Sequence, residues 1–475
     1  MARILVLGAG FAGLWAAIGA ARKRDELGTS RDDADILVVD RNPYHNIRVR
    51  NYEVDIGDVA IPLAEVLDPI GVDHRVAEIS SIAPERQHVT LATSHGHETL
   101  HYDRLVLTLG SRLVRPAIPG LAAASFDVDT YQAALRLNDH LAALGREPAS
   151  PGRSTVVVVG AGFTGIEVAA EMPAKCARAG LDNARVILVD PNPVVGATIG
   201  DHARPVINEA LSSLDVATRL GVRISGVDAS GVTLSSGEFI AARTVVWCAG
   251  MAANPLAATL SGEHDRLGRI EVDPFMRVKG LSNVFAAGDV ASLLVDGVHP
   301  SVMSCQFARP MGRFAGHNVV ADLFGQEMLP LAIDWYVTVL DLGSWGALYT
   351  VGWDRKVHAT GAAAKVTKQT INHQRIYPPR NCSRGALFDA AAPTIQAPPS
   401  FACCFHGLTG SVILRELGSA VSVVCPRRFW KATTPAALRA MACCRGSRRR
   451  QIGGRRARRA RSVAARRPCR CHAPA

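Results

Sequence analysis

One short signature occurs twice in this chain, and it leaves few folds open. Residues 4–8 (Ile-Leu-Val-Leu-Gly) form an apolar run. The turn Gly8-Ala9-Gly10-Phe11-Ala12-Gly13 follows, then a small-residue segment to about Lys23, then a second apolar run over residues 36–40 that ends in Asp40. The same layout returns 152 positions later: residues 155–160 (Thr-Val-Val-Val-Val-Gly), the turn Gly160-Ala161-Gly162-Phe163-Thr164-Gly165, a segment from Ile166 to about Ala179, and a run over residues 185–190 that ends in Asp190. Continuous apolar runs this short, each bounded by glycine, predict buried parallel strands, and the segments between them predict helices. In a Gly-x-Gly-x-x-Gly turn the first glycine makes the bend and the second lets a pyrophosphate reach the backbone. The third lets the helix pack close to its strand. The helix-start amides then hold the phosphates. One such turn is weak evidence, but two copies, each in a strand–turn–helix–strand–acid setting, are specific. The spacing exceeds any solenoid period and predicts two homologous domains.

The acids at the strand ends carry further information. Asp40 can accept both hydroxyls of an adenosine ribose. Asp190 in the same position would repel a 2′-phosphate, and Pro191 and Asn192 supply no cation to neutralise one, which favours NADH over NADPH. The alternative for Asp190 is a carboxylate that caps its loop. Further strands are expected at Arg104 to Gly110, Thr244 to Gly250 and residues 284–290 (Val-Phe-Ala-Ala-Gly-Asp-Val), then a helix from about Met303 to Phe324. Residues 331–371 predict a small β-rich segment leading into a helix, and from about Pro378 periodicity fades. The fold class is therefore α/β: two interlocked Rossmann-like dinucleotide-binding domains, a small C-terminal β-rich domain and a basic tail.

That tail explains a misleading net charge. The whole chain is +11, yet residues 401–475 hold sixteen arginines, one lysine and one acid, so residues 1–400 are mildly acidic. Seven of the eleven cysteines also fall in the tail, while Cys176, Cys248, Cys305 and Cys382 serve the rest, without a CxxC motif or a disulfide framework. No metal site is expected, since the Cys403-Cys404 and Cys443-Cys444 pairs lack zinc-ligand spacing. The abrupt change in composition resembles a GC-rich gene read out of frame, and it predicts a disordered segment. An anchor for anionic lipid or nucleic acid is the alternative. No apolar run is long enough to span a bilayer, and the first strand begins too early for a cleavable signal, so a cytoplasmic chain is expected.

The motif order GAGFAG, GAGFTGIEVAAEM and VFAAGDVA, with Asn42-Pro43-Tyr44-His45 after the first acid and the run KQTINHQRIYPP from Lys368 to Pro379, resembles the two-dinucleotide-domain flavoprotein reductases. Within that pyridine nucleotide-disulfide oxidoreductase family it is most similar to the type II NADH dehydrogenases, over about residues 1–390. The resemblance implies an FAD-binding domain at 1–120 with 270–330, an NADH-binding domain at 121–269, a C-terminal domain at 331–400 and the tail at 401–475. It implies that Gly8, Gly10, Phe11, Ala12, Gly13, Asp40 and Arg41 hold the ADP half of FAD, and that Gly288 and Asp289 hold its ribityl-phosphate region. It also implies that Gly160, Gly162, Thr164, Gly165 and Asp190 bind NADH, and that Gly110 and Gly250 close loops beside the cofactors. Glu167 would lie near the nicotinamide, although a first-turn acid complementing the helix dipole is an equally simple reading.

The implied activity is hydride transfer from NADH to the flavin, with two electrons passing on to a quinone. Type II dehydrogenases carry an AQxAxQxG-like stretch beside the flavin. Here it reads Cys305-Gln306-Phe307-Ala308-Arg309-Pro310-Met311-Gly312, with Pro310 where a second glutamine would stand and Cys305 in place of alanine. Gln306 is the candidate to contact the flavin edge or a quinone carbonyl. The expected partners are NADH, a quinone or other electron acceptor, a peripheral contact on the inner face of the cell membrane and a second copy of the chain in a homodimer, with no specific nucleic acid. A reductase with a soluble acceptor and a low-turnover NADH-binding redox sensor are the rival functions.

Overall fold

The strands at the two signatures are buried on both faces, which a sheet covered by helices on each side requires. Ile4, Leu5, Val6 and Leu7 are wholly shielded from solvent, as are Val156, Val157 and Val158. The computed structural model describes residues 1–93 and 96–399. The expectations about the arginine-rich tail lie outside them.

Ala2–Leu7 pairs in parallel with Ala34–Asp40 on one side and Arg104–Leu107 on the other. Asp73–Val76 and Val284–Ala286 complete a five-stranded sheet at its two edges. The second sheet repeats the pattern with Thr155–Val159 between Arg185–Asp190 and Thr244–Trp247, and Val216–Leu220 outside. In both sheets the chain leaves the first strand, fills one side and then crosses to the other. The strand ends beside that reversal form a crevice, where open α/β sheets bind ligands. Gly8 and Gly160 sit at those ends.

Among the helices that cover the strands, three position the site. α1 (Phe11–Glu26) and α2 (Phe163–Arg178) each begin inside a fingerprint turn, and α3 (Cys305–Leu323) lies against α1. The α1–α3 contact is close because it is made of small residues. A Cβ on Gly312 would fall 2.3 Å from the Ala12 carbonyl oxygen, and one on Gly316 would fall 2.1 Å from that of Ala16. This approach sets the start of α3 beside the first fingerprint. Pro310 lies inside α3 and cannot donate to the carbonyl of Gln306, one turn back.

Two short antiparallel strands, Ser111–Leu113 and Met251–Ala253, tie the halves together directly after Gly110 and Gly250. The C-terminal part is a three-stranded antiparallel sheet, Val337–Asp341, Ala347–Val351 and Lys356–Thr360, followed by α4 (Gly361–Thr370). Beyond Pro378 the fading periodicity still hides one helix, Arg384–Ala390, whose Ser383 side chain accepts from the Ala386 amide. A cap residue marked it where hydrophobic period did not.

Candidate active site

The two fingerprint turns do what their glycines predict. Gly8 (φ +97°) and Gly160 (φ +106°) hold the left-handed backbone of the bend. A Cβ on Gly13 would lie 1.7 Å from the Gly8 carbonyl oxygen, and one on Gly165 would lie 1.6 Å from that of Gly160. A Cβ on Gly10 or Gly162 meets no atom within 4 Å. The middle glycine of each turn therefore faces open space, as a backbone that receives a pyrophosphate must.

Both turns open into one cavity of about 1120 Å³. Its wall includes Gly8, Gly10, Phe11, Ala12, Asp40, Arg41, Gly110, Gly288 and Asp289 from the first half, and Gly162, Thr164 and Glu167 from the second, with Gln306 from the start of α3. Gly13, Gly160, Gly165, Asp190 and Gly250 do not line it. For the glycines this matches their work behind the turn, in bending and close packing. For Asp190 it changes the picture. One carboxylate oxygen accepts from the Ala161 amide at 2.6 Å, and the other accepts from the amide and side chain of Asn192 at 2.8 and 2.7 Å. The buried Asp190 thus fixes the shape of the second turn. Asp40 makes the matching bonds, to the amides of Ala9 and Asn42, but it is less buried and reaches the cavity wall. Asp289 accepts from the Ser111 hydroxyl at 2.7 Å, which links it to the loop after Gly110, and Arg48 lies 3.7 Å away.

Between the two halves stands a buried polar network. Glu167, one turn into α2, pairs with Lys368 of α4 at 2.8 Å and also accepts the Asp341 amide. Lys368 donates a second bond to the Val339 carbonyl. Asp341 pairs with Lys365 at 2.5 Å and accepts from Tyr52. Burial raises the Glu167 pKa above the usual carboxylate range, against the pull of Lys368. Burial works against the Lys368 ammonium, but Glu167 and Asp341 outweigh it and hold the group charged. Lys368 is a residue the sequence reading did not assign a role. With Ala364 and Thr367 it forms the buried face of α4, and no apolar period in the sequence marks it. Gln306 presents its side-chain Nε2 without any hydrogen-bond partner, although that atom is shielded from solvent. An orphaned buried donor on a cavity wall fits a ring or carbonyl acceptor from a bound group.

The profile of the pyridine nucleotide-disulphide oxidoreductase family matches residues 2–312. The chain belongs to that family. An NADH dehydrogenase-like protein of Mycobacterium tuberculosis strain H37Rv is 54% identical over 403 residues, covering 84% of this chain and 100% of the relative. A type II NADH:quinone oxidoreductase of Staphylococcus haemolyticus is 27% identical over 398 residues, covering 79% of this chain and 95% of the relative. Among solved structures, NDH2 from Plasmodium falciparum in complex with NADH superposes with a TM-score of 0.65 at 13% identity, over 82% of this chain and 96% of that one. That last likeness speaks for the fold.

In this oxidoreductase the four cysteines of the described residues are free thiols. Burial pushes the thiols of Cys248 and Cys305, both on the cavity wall, up and away from the reactive thiolate.

One buried histidine ties the first turn to solvent pH. His45 Nδ1 lies 2.8 Å from the Ala9 carbonyl oxygen, and its Nε2 is buried without a partner. Burial first, and nearby Arg309 next, pull its pKa down to about 4. The folded value lies below the unfolded one, so its contribution to stability is complete above about pH 6.5 and is lost as pH falls toward 4. The expected loss from His45 alone is about 3 kcal/mol across that window. Urea titrations at stepped pH will show a shallower acid slope for His45→Gln than for the parent. Equal slopes would place the acid sensitivity elsewhere.

Proposed function

We propose that the protein is an FAD-dependent NADH dehydrogenase that reduces a quinone. One observation carries the reading: two dinucleotide turns open into a single cavity, and an orphaned glutamine and a buried Glu–Lys pair face it. FAD, when bound at the first turn, supplies the chemistry that accepts a hydride from NADH and gives up two electrons one step later. The domain division follows, with residues 1–120 and 270–330 on FAD, 121–269 on NADH and 331–400 closing the acceptor side.

The chain's own residues orient the partners and manage protons. Gly10 and the α1 amides hold one pyrophosphate, with Asp40 at its ribose. Gly162, Thr164 and the α2 amides hold the other, while the Asp190 charge at the second turn and the exposed Pro191-Asn192-Pro193 beyond it disfavour a 2′-phosphate. Gln306 donates to a ring or quinone carbonyl. Overall, NADH, a proton and the quinone become NAD⁺ and the quinol, so two hydrogens must reach the quinone oxygens in a water-poor cavity. Glu167, whose carboxyl binds a proton more readily than an ordinary glutamate, is placed to hold one there, and Lys368 fixes its position.

A lipid-borne quinone calls for a peripheral contact with the membrane face. Among the described residues no helix is long and apolar enough to cross a bilayer. The same proposal includes a homodimer.

The purified protein is expected to be yellow and to bleach on adding NADH without oxygen, with NADPH slower. A quinone added afterwards should restore the colour. A colourless protein that refuses FAD, or a flavin that NADH leaves oxidised, would end this reading.

A further inference from the structure

Two buried arginines in α3 have no counter-charge among the described residues. Arg309 and Arg313 lie one turn apart, 7% and 2% exposed. Their guanidinium carbons stand 4.9 and 4.5 Å from the centre of the Trp15 ring, within cation–π range. Nε of each, and Nη2 of Arg313, are shielded from water and have no hydrogen-bond partner. The other buried arginines are satisfied. Arg24 donates to the carbonyls of Ala34 and Gly71, Arg50 pairs with Glu53 and Asp58, and Arg269 pairs with Asp265. The groups acting on Arg309 are two further cations, Arg313 and Arg375, and the thiol of Cys305. Arg375, just beyond α4, donates to the Ala397 carbonyl and has no acid partner among the described residues.

Burying an unpaired guanidinium carries a large desolvation cost, and three cations in one region add mutual repulsion. Arginine does not relieve this by losing its proton at neutral pH. An anion entering the cavity would relieve it. Arg309, Arg313 and Arg375 all line the cavity. The wall around Arg375 is apolar: Ile371 and Ile376 flank it in the chain, and Ile395 lies two residues from its partner Ala397. Arg309 also lies near His45, whose ring contacts the Ala9 carbonyl of the first turn. The chemistry of this wall suits a flat apolar ring with one acidic group.

Resting on the quinone reading above, we infer that the acceptor is an anionic quinone, an aromatic ring bearing a carboxylate-type acid, whose charge sits on Arg309 with Arg313 and Arg375 beside it. Arg309 occupies the variable position of the AQxAxQxG-like stretch, next to Pro310. The cation thus stands directly beside Pro310, at the start of the same helix as Gln306.

The test uses the FAD-loaded enzyme with 1,4-naphthoquinone-2-sulfonate and neutral menadione as acceptors, and naphthalene-2-carboxylate and its methyl ester as redox-inert binding probes. Arg309→Gln and Arg313→Gln are expected to raise KM for the sulfonate about tenfold or more, since a charge-assisted pair is lost. KM for menadione, flavin content and the rate of bleaching by NADH should stay within about twofold of the parent. Arg309→Lys, which keeps the charge but loses the planar fork, should fall between, and it carries the comparison if the glutamine variants do not fold. Equal effects on both quinones, or no effect on either, would overturn the anion site. So would variants that lose FAD, because the arginines would then be holding cofactor phosphate. If neither quinone reoxidises the bleached enzyme, the quinone reading fails and the anion site is judged by the inert probes alone. Arginine-dependent binding of the carboxylate but not of the ester sustains it, and binding that ignores the arginines removes it.

Discussion

Lys368→Met will leave Glu167 buried without its cation, and both stability and turnover will fall. Breaking one side of a buried ion pair typically costs about 3–5 kcal/mol, because the remaining charge keeps its desolvation penalty. Here the Lys368 ammonium also holds the Val339 carbonyl and lies 5.7 Å from the centre of the Tyr52 ring, so the substitution removes a hydrogen bond and a packing contact as well. The Glu167 carboxyl, already raised by burial, will bind a proton still more readily once the Lys368 cation is gone. Quinone reduction is expected to slow by roughly a hundredfold or more, the usual share of a positioned acid–base group. Flavin bleaching by NADH should change far less. The double variant Glu167→Gln/Lys368→Met separates the two roles. Removing both charges should restore most of the stability in urea, while the acceptor half-reaction stays slow. Recovery of both together would make the pair a structural tie with no part in proton handling.

The parts of this molecule that were legible in the sequence are those fixed by local geometry. Gly8, Gly10 and Gly13 announce a bend, an open face and a close contact because each demand acts within six residues, and the backbone adopts that geometry at each of the three. Strand runs such as Val156-Val157-Val158 were legible for the same reason: continuous apolar sequence has few other uses. Asp190 was half legible. Its place at a strand end was plain, but whether the carboxylate faces a ligand or its own turn depends on where the Ala161 and Asn192 amides point, and the sequence does not encode that locally. Lys368 and Arg309 were not assigned at all. The Glu167–Lys368 pair joins positions 201 residues apart, and its meaning arises only when the lysines of α4 reach the acids of α2. Arg309 looks like an ordinary solvated helix residue until the small-residue contact between α1 and α3 encloses it against Trp15.

Substituting alanine for the second and the third glycine of each turn will divide the four positions into separable classes. In Gly13→Ala the new methyl group lands 1.7 Å from the Gly8 carbonyl oxygen, and backbone cannot yield as a side-chain tip can. The helix must move off its strand. A loss of roughly 3 kcal/mol or more is expected, the upper range for overpacking, together with a colourless protein. Gly165→Ala meets the same obstacle in the other half, 1.6 Å from the Gly160 carbonyl oxygen. It should come off a column yellow yet fail to bleach with NADH, because the damage lies in the second half alone. Gly10→Ala and Gly162→Ala should behave differently. Their Cβ atoms touch nothing in the protein, so melting temperature without ligand should barely change. What they fill is the space a pyrophosphate needs, and affinity should fall about tenfold or more, for FAD in the first and for NADH in the second. Calorimetric binding beside thermal melts resolves the four cases. Should Gly162→Ala bind NADH as tightly as the parent, the second turn would be a packing device only, and the nicotinamide would have to enter the cavity by another wall.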